Sequence, residues 1–288
     1  MGGTRYSVTN RTTRAKISGY DTKNVDDIFT QNRARKAHDS MISKNIKIRE
    51  ARDSDTHPKS FPIILGLDVT GSMGHIPHDL VKEGLPKLMG GIIQNGVPDA
   101  SLLFLGIGDH ECDRFPLQVG QFESGDEELD MWLTRTYIEG GGGGNGGESY
   151  LLAWYFAAFH TSTDAFEKRG QKGILITIGD EPNLTSLPSS ALKEIMGEAR
   201  ESFNESKLLN EVRKKYDVFH INVCHSAWAE TSEKSWKNTL GQNCISVSDY
   251  KTIPDVIKKL VCENHTSKIG TTYKSDSIDT GFDNIEML

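Results

Sequence analysis

A doubly wound, mainly parallel α/β sheet flanked by helices is the fold class that three features of this 288-residue chain predict. Unbroken apolar runs at 63–67, 101–108 and 171–179 lack the alternation of a half-exposed strand and suit strands covered on both faces. Helix-length segments separate these runs from residue 61 to residue 264. Polar clusters stand directly after the runs, at Asp68 and Asp180, and in open α/β sheets ligands bind beyond the carboxyl ends of the strands.

Residues 1–59 form an arm that precedes this domain. Positions 1–24 show no period and are expected to be irregular or docked, whereas 25–43 suit one helix with Ile28, Phe29, Ala37 and Met41 as its apolar stripe. Residues 46–49 alternate like a short edge strand, and 52–58 make a polar connector. Pro77 is placed for the first turn of a helix that ends near Gln94 at Asn95-Gly96. The 101–108 strand leads through Asp109, His110, Glu111, Cys112 and Asp113 into a strand at 115–122, a hairpin at a sheet edge.

A short helix is expected at 127–136, followed by the glycine run 140–144 with Asn145 and Glu148 behind it, and by an almost wholly apolar helix at 150–160. Glycines between packed elements permit close backbone approach, and a helix amino terminus favours an anion. Helices at 189–201, 205–215, 230–240 and 253–264 alternate with strands at 217–224 and 244–247. From 266 to 288 the periodicity is lost, as in a flexible tail, so the domain proper is expected to span 60–265.

The net charge is −7, with a pI of about 5.7, and the chain is therefore not expected to bind nucleic acid. Residues 1–59 carry 13 Lys and Arg against 7 Asp and Glu, so a basic arm precedes an acidic body and has either that body or an acidic partner to meet. No apolar signal core or membrane-length run is present, and a cytoplasmic location is expected. Cys112, Cys224, Cys244 and Cys262 are scattered, without a C-x-x-C pair, as reduced thiols would be.

The chemistry concentrates after the first core strand. Alternate residues of an extended segment point the same way, so Asp68, Thr70 and Ser72 converge while Gly71 lets the backbone turn. One carboxylate and two hydroxyls are hard oxygen donors that suit Mg²⁺, Mn²⁺ or Ca²⁺ rather than zinc. The same hydroxyls also suit capping of the following helix. A G-x-S-x-G elbow would need glycine in place of Thr70, an aspartyl-phosphate enzyme a second aspartate there, and no Walker A motif occurs.

Asp68-Val-Thr-Gly-Ser-Met resembles the D-x-[ST]-x-S metal-ion-dependent adhesion site (MIDAS) of von Willebrand factor A (vWA) domains. The resemblance implies a divalent ion, Mg²⁺ or else Mn²⁺ or Ca²⁺, held by Asp68, Thr70, Ser72 and Asp180. The family's middle-loop threonine has no match. Asn145 falls in its place with Glu148 as a rival, and Glu148, Asp109 and Gly71 are expected around the ion or against a partner.

Gly108-Asp109 before Asp113-Arg114, with the glycine-rich approach to Glu148-Ser149-Tyr150, is similar to uncharacterised intracellular vWA proteins of bacteria and phages. Some related proteins present substrates to AAA+ ATPases. The function implied is a metal-dependent adaptor, not an enzyme, that engages an exposed Asp or Glu of a protein partner such as an AAA+ ATPase or its substrate. Two alternatives stand beside it. One is a metal-assisted phosphoester hydrolase, from the clustering of Asp109, His110, Glu111 and Asp180; the other is an assembly subunit of a phage or bacterial complex.

Overall fold

The computed structural model describes residues 4–80, 84–140, 145–199, 201–225 and 229–275. In chain order the arm contributes helices α1 (Val8–Ile17), α2 (Val25–Ile28) and α3 (Gln31–Ala34) and strand β1 (Arg49–Ala51). The body follows with β2 (Phe61–Asp68), α4 (Ile76–Asp79), α5 (Leu85–Gln94), β3 (Ala100–Ile107), β4 (Leu117–Val119), α6 (Asp126–Thr134), α7 (Leu151–Phe159), β5 (Thr161–Thr163), α8 (Asp164–Arg169) and β6 (Gly173–Gly179). It closes with β7 (Ser186–Leu187), α9 (Ser189–Met196), β8 (Phe203–Asn204), α10 (Glu205–Val212), β9 (Tyr216–Val223), α11 (Ala229–Leu240), β10 (Cys244–Val247) and α12 (Ile253–Ser275).

Six strands make the main sheet in the order β10-β9-β6-β2-β3-β4. Every pairing is parallel except β3 with the edge strand β4, so the expected hairpin at the sheet edge is present. The doubly wound architecture expected from the sequence is the one observed.

All eight residues of β2 and of β3 and all seven of β6 are buried, which is why their sequences do not alternate. Successive side chains still go to opposite faces. Ile63, Leu65, Leu67, Ile174, Ile176 and Ile178 join one core, under α5, α6 and α12. Ile64, Leu103, Leu105 and Leu175 join the other, with α7 and α10. Helix α7 is buried through nearly its whole length because layers cover it on every side, and an apolar composition all round follows from that.

The arm is docked on the body. Ser7 caps α1, its hydroxyl accepting from Asn10 N at 3.2 Å, and α1 lies against α5 and α6. Arg11, 1% exposed, pairs with Asp130 at 3.2 Å, and Arg14 pairs with Asp126 at 2.9 Å. Tyr20 OH donates to Asp130 Oδ2 at 3.1 Å. Farther on, Arg52 meets Asp164 at 2.9 Å, and Asp53 meets Arg169 at 2.6 Å. Of the two destinations open to the basic arm, the acidic body is the one it occupies.

Local differences from the sequence reading have physical causes. Residues 25–43 do not form one helix. Phe29 leaves helical geometry (φ −86°, ψ 84°), and Arg35 adopts the left-handed region at φ 47°, so α2 and α3 are separate turns. Ile28, Phe29, Ala37 and Met41 are nonetheless buried, because irregular backbone delivers them to the core where one helical face could not. Residues 8–17, expected to be irregular or docked, form a docked helix.

The strand expected at 46–49 begins at Arg49 and pairs in parallel with β5. Helix α12 runs to Ser275 rather than stopping near 264, with His265 edge-on to Phe61 at 4.9 Å. Residues 276–288 of the expected tail lie outside the described residues, as does glycine run 141–144. Of the four free cysteines Cys244 is buried, Cys224 and Cys262 are half-buried and Cys112 is exposed. Among the described residues no helix is long and apolar enough to cross a membrane.

Arg11→Ala should strip a nearly closed site of its cation and lower the unfolding free energy by about 3 kcal/mol. Arg14, whose side chain is 29% exposed, should cost clearly less on the same substitution. Urea unfolding of both variants checks this, and equal losses would show that the arm is not anchored through Arg11.

Candidate metal centre

Parallel pairing brings the carboxyl ends of β2, β6 and β9 to one rim of the sheet. Asp68 is the last residue of β2, Asp180 follows the last residue of β6, and His225 lies two residues beyond β9. After Asp68 the chain stays extended through Thr70 (φ −80°, ψ 174°) and then makes a short 3₁₀ turn over Gly71–Met73. The left-handed residue of that turn is Gly74, at φ 50°, rather than Gly71.

Hydrogen bonds join the loops after β2 and β6 to each other and to the start of α7. Asp68 Oδ1 accepts from Thr70 N at 2.9 Å and from Thr70 Oγ1 at 2.6 Å, and Asp68 Oδ2 accepts from Tyr150 OH at 2.9 Å. Ser72 Oγ donates to Asp180 Oδ1 at 2.8 Å and lies 3.2 Å from Thr70 Oγ1. Asp68 and Asp180 are both 0% exposed. Burial first, and then the charge of Asp180, raise the Asp68 pKa to about 7 against the opposing bonds from Thr70 and Tyr150.

The residues present fit a hard divalent cation. Asp180 Oδ2 is buried without a hydrogen-bond partner, and neither carboxylate has a Lys or Arg beside it among the described residues. With the hydroxyl protons of Thr70 and Ser72 directed at carboxylates, both oxygens keep lone pairs for a ligand. Two buried carboxylates and two hydroxyls form an oxygen set that a Mg²⁺-class ion would complete.

Asn145 bonds the Asp109 loop, its amide Nδ2 donating to Asp109 Oδ2 at 2.7 Å and to Glu111 Oε2 at 3.0 Å. Asp109 is 0% exposed but turned onto its own loop, where Oδ1 accepts from Glu111 N at 2.8 Å. His110 Nδ1 lies 2.7 Å from Ser149 Oγ. Glu148 is 2% exposed and held beside the Asp180 loop by its N–H on Pro182 O at 2.9 Å. Its Oε2 has no partner, and burial, reinforced by the Asp68 charge, pushes its pKa far above the carboxylate range.

Three residues important to this geometry were not among the sequence candidates. Tyr150 reaches Asp68 from the start of α7, and its ring is fixed edge-on to Trp236 and His220, each at 5.2 Å. Gly179 makes the room, since a methyl there would overlap the Tyr150 hydroxyl and stand 3.0 Å from Asp68 Oδ2. His225 Nε2 donates to the Ser72 carbonyl at 2.8 Å and lies 3.7 Å from Asp180 Oδ2. His225 could have been found by extending the rule of strand carboxyl ends to β9, whereas nothing in the spacing of Tyr150 or Gly179 distinguished them.

No family model matches this chain, and a search of curated proteins finds no match. Among solved structures it is similar to the open conformation of the pilus adhesin SpaC from Lactobacillus rhamnosus GG, at 10% identity over 72% of this chain and 30% of that one, TM-score 0.48. It is also similar to proximal thread matrix protein 1 from the mussel byssus with a zinc-occupied MIDAS motif, at 11% identity over 71% of this chain and 46% of that one, TM-score 0.44. A third is the SpRpn10 VWA domain, at 9% identity over 65% of this chain and 88% of that one, TM-score 0.41. The chain thus spans less than half the length of the first two.

A raised carboxyl pKa means that the folded state holds the proton more tightly than the unfolded chain. The stability this adds is present at acid pH and is lost as pH rises through the folded value. In chelator, wild type should therefore lose at least about 1.4 kcal/mol relative to Asp68→Asn between about pH 5 and pH 8, the equivalent of one pKa unit. Paired unfolding curves give the difference directly; one that does not vary with pH would overturn the buried-charge account.

Proposed function

We propose that this chain is a divalent-metal-dependent protein-binding module whose MIDAS-type site engages an acidic side chain of a partner. The observation that carries this reading is the pair of fully buried carboxylates, Asp68 and Asp180, bridged through the Thr70 and Ser72 hydroxyls with one carboxylate oxygen left without a donor. In this reading Asp68, Thr70, Ser72 and Asp180 hold the ion, Mg²⁺ first and Mn²⁺ or Ca²⁺ as substitutes. Asn145 stays on the Asp109 loop, and Glu148 stands beside the site with a carboxyl that burial, in the ion-free crevice, holds far above the carboxylate range.

The bound ion supplies an electrophilic position for an external carboxylate. The protein's own residues do the rest. Thr70 and Ser72 keep their protons on the aspartates and present lone pairs to the ion. Tyr150 fixes the Asp68 carboxylate, and the α7 core excludes water behind it. Without an ion the crevice repels a partner's carboxylate, so binding by this route depends on the metal. A protein with an exposed Asp or Glu is the partner class, and an AAA+ ATPase or its substrate is the candidate that the family resemblance supplies.

Immobilised wild-type chain in Mg²⁺ should retain proteins that EDTA releases and that Asp68→Ala does not bind. The affinity of a retained protein, once identified and measured by calorimetry, should fall at least about thirtyfold in EDTA, the scale of losing one partner of a desolvated charge pair. Retention unchanged by EDTA and by Asp68→Ala would overturn the proposal. Mn²⁺-dependent turnover of generic phosphoesters that is lost in Asp180→Asn would favour the hydrolase reading instead.

A further inference from the structure

We propose that Arg35 and Arg114, beside Tyr137, form a carboxylate-binding site on the rim of the Asp68 crevice that receives a second acidic side chain of the partner. The proposal rests on the metal-dependent binding reading and specifies the partner, which is a protein segment carrying more than one Asp or Glu.

The arm and the body each bring one arginine to this place. Strand β3 runs parallel to β2 with Ile107 opposite Asp68, so the loop after β3, which carries Arg114, leaves from the same rim. Arg35 follows α3, its N–H on Asn32 O at 3.2 Å, and Asn32 Oδ1 in turn accepts from Ile138 N at 2.9 Å. The next residue, Glu139, donates its N–H to Val69 O at 3.2 Å, between Asp68 and Thr70. Tyr137 is common to both arginines. Burial and then the charge of Glu139 raise its pKa, and Arg35 and Arg114 both act against them, which puts both cations within electrostatic reach of one hydroxyl.

These cations are open to an outside anion. Both residues are exposed, and among the described residues neither side chain makes an ion pair. The acids nearest them are turned to backbone donors. Glu139 accepts from the N–H groups of Arg114 and Phe115, and Asp113 Oδ2 accepts from Asp109 N at 2.7 Å. The Arg114 guanidinium lies 5.2 Å from the centre of the Phe115 ring, and that ring stands edge-on to Tyr137 at 6.1 Å. A stacked guanidinium is held in place before binding, and its planar fork matches a carboxylate. Elsewhere on the rim Glu111 is exposed and Glu181 half-buried, and like charge turns an acidic segment away from them. Attraction at Arg35 and Arg114 therefore sets the side from which such a segment reaches the ion.

Acetylated and amidated pentaglutamate, titrated into the full chain in Mg²⁺ and followed by calorimetry, provides the test. Binding should be lost in EDTA and in Asp68→Ala. It should weaken at least about fivefold in the double variant Arg35→Gln, Arg114→Gln, the scale of two exposed ion pairs, and the loss should shrink as salt is raised. The double variant Arg35→Lys, Arg114→Lys keeps the charge and should bind more tightly than the Gln pair. EDTA-sensitive binding that the Gln pair leaves unchanged overturns the carboxylate site while the metal reading stands. Binding that weakens in the Gln pair yet ignores both EDTA and Asp68→Ala overturns the joint engagement together with that reading. Absence of any Mg²⁺-dependent binding to wild type overturns the proposal.

Discussion

Asp68 ends the central strand with no exposure to solvent, and a carboxylate so desolvated is tolerated only where hydrogen bonds or an opposite charge replace the lost water. Three donors reach it: the backbone and hydroxyl of Thr70 and the phenol of Tyr150. They do not suffice, because burial and the neighbouring charge of Asp180 still hold its pKa well above the carboxylate range. The rest of the crevice reads as a response to that deficit. Gly179 lacks a side chain so that Tyr150 can enter, and the stacked His220 and Trp236 rings, 3.7 Å apart at their centroids, brace Tyr150 in turn. Any relaxation that let water reach Asp68 would have to move β2, buried throughout, or α7, buried through nearly its whole length.

The same burial ties the arm to the site. Asn32, in α3, accepts from Ile138 N at 2.9 Å through its Oδ1, and the next residue, Glu139, donates its N–H to Val69 O at 3.2 Å. Val69 is the residue between Asp68 and Thr70, so the arm is two hydrogen bonds away from the first loop. Arg11, Arg14 and Arg52 of the arm, whose basic residues were expected to meet either the body or a partner, pair with Asp126, Asp130 and Asp164 of the body. Gln118 does comparable work at the β4 edge, where its side chain bonds both the N–H and the carbonyl of Tyr137 at 2.8 Å.

The parts of the fold written in unbroken apolar runs were legible because a parallel strand buried on both faces has no other composition open to it. The same rule gave Asp68 and Asp180, since a carboxylate at the end of such a run has only the rim to occupy. The arm was less legible. Ile28, Phe29, Ala37 and Met41 were recognisable as core, but the turns at Phe29 and Arg35 that deliver them carry no turn residue such as Gly or Pro. Asn145 shows a different limit: its place in the sequence matches a ligand loop, but spacing does not report that its amide Nδ2 donates to Asp109 and Glu111. Tyr150 and Gly179 form a complementary pair that neither residue announces alone.

Charge counting in the crevice explains why an ion would do more there than add one bond. Burial raises the pKa of Glu181 as well as that of Glu148, and the charges of Asp180 and Asp109 raise Glu181 further. The rim is therefore crowded with acids that suppress one another's ionisation. A dication between Asp68 and Asp180 would balance their two charges, offset the burial that chiefly raises the Asp68 pKa and the smaller repulsion from Asp180, and leave the neighbouring acids beside a neutral centre instead of an anionic one. An acidic side chain approaching from outside would then meet a coordination position in place of a field of like sign. A cation in this crevice would switch the sign of the site before it bridged to any partner.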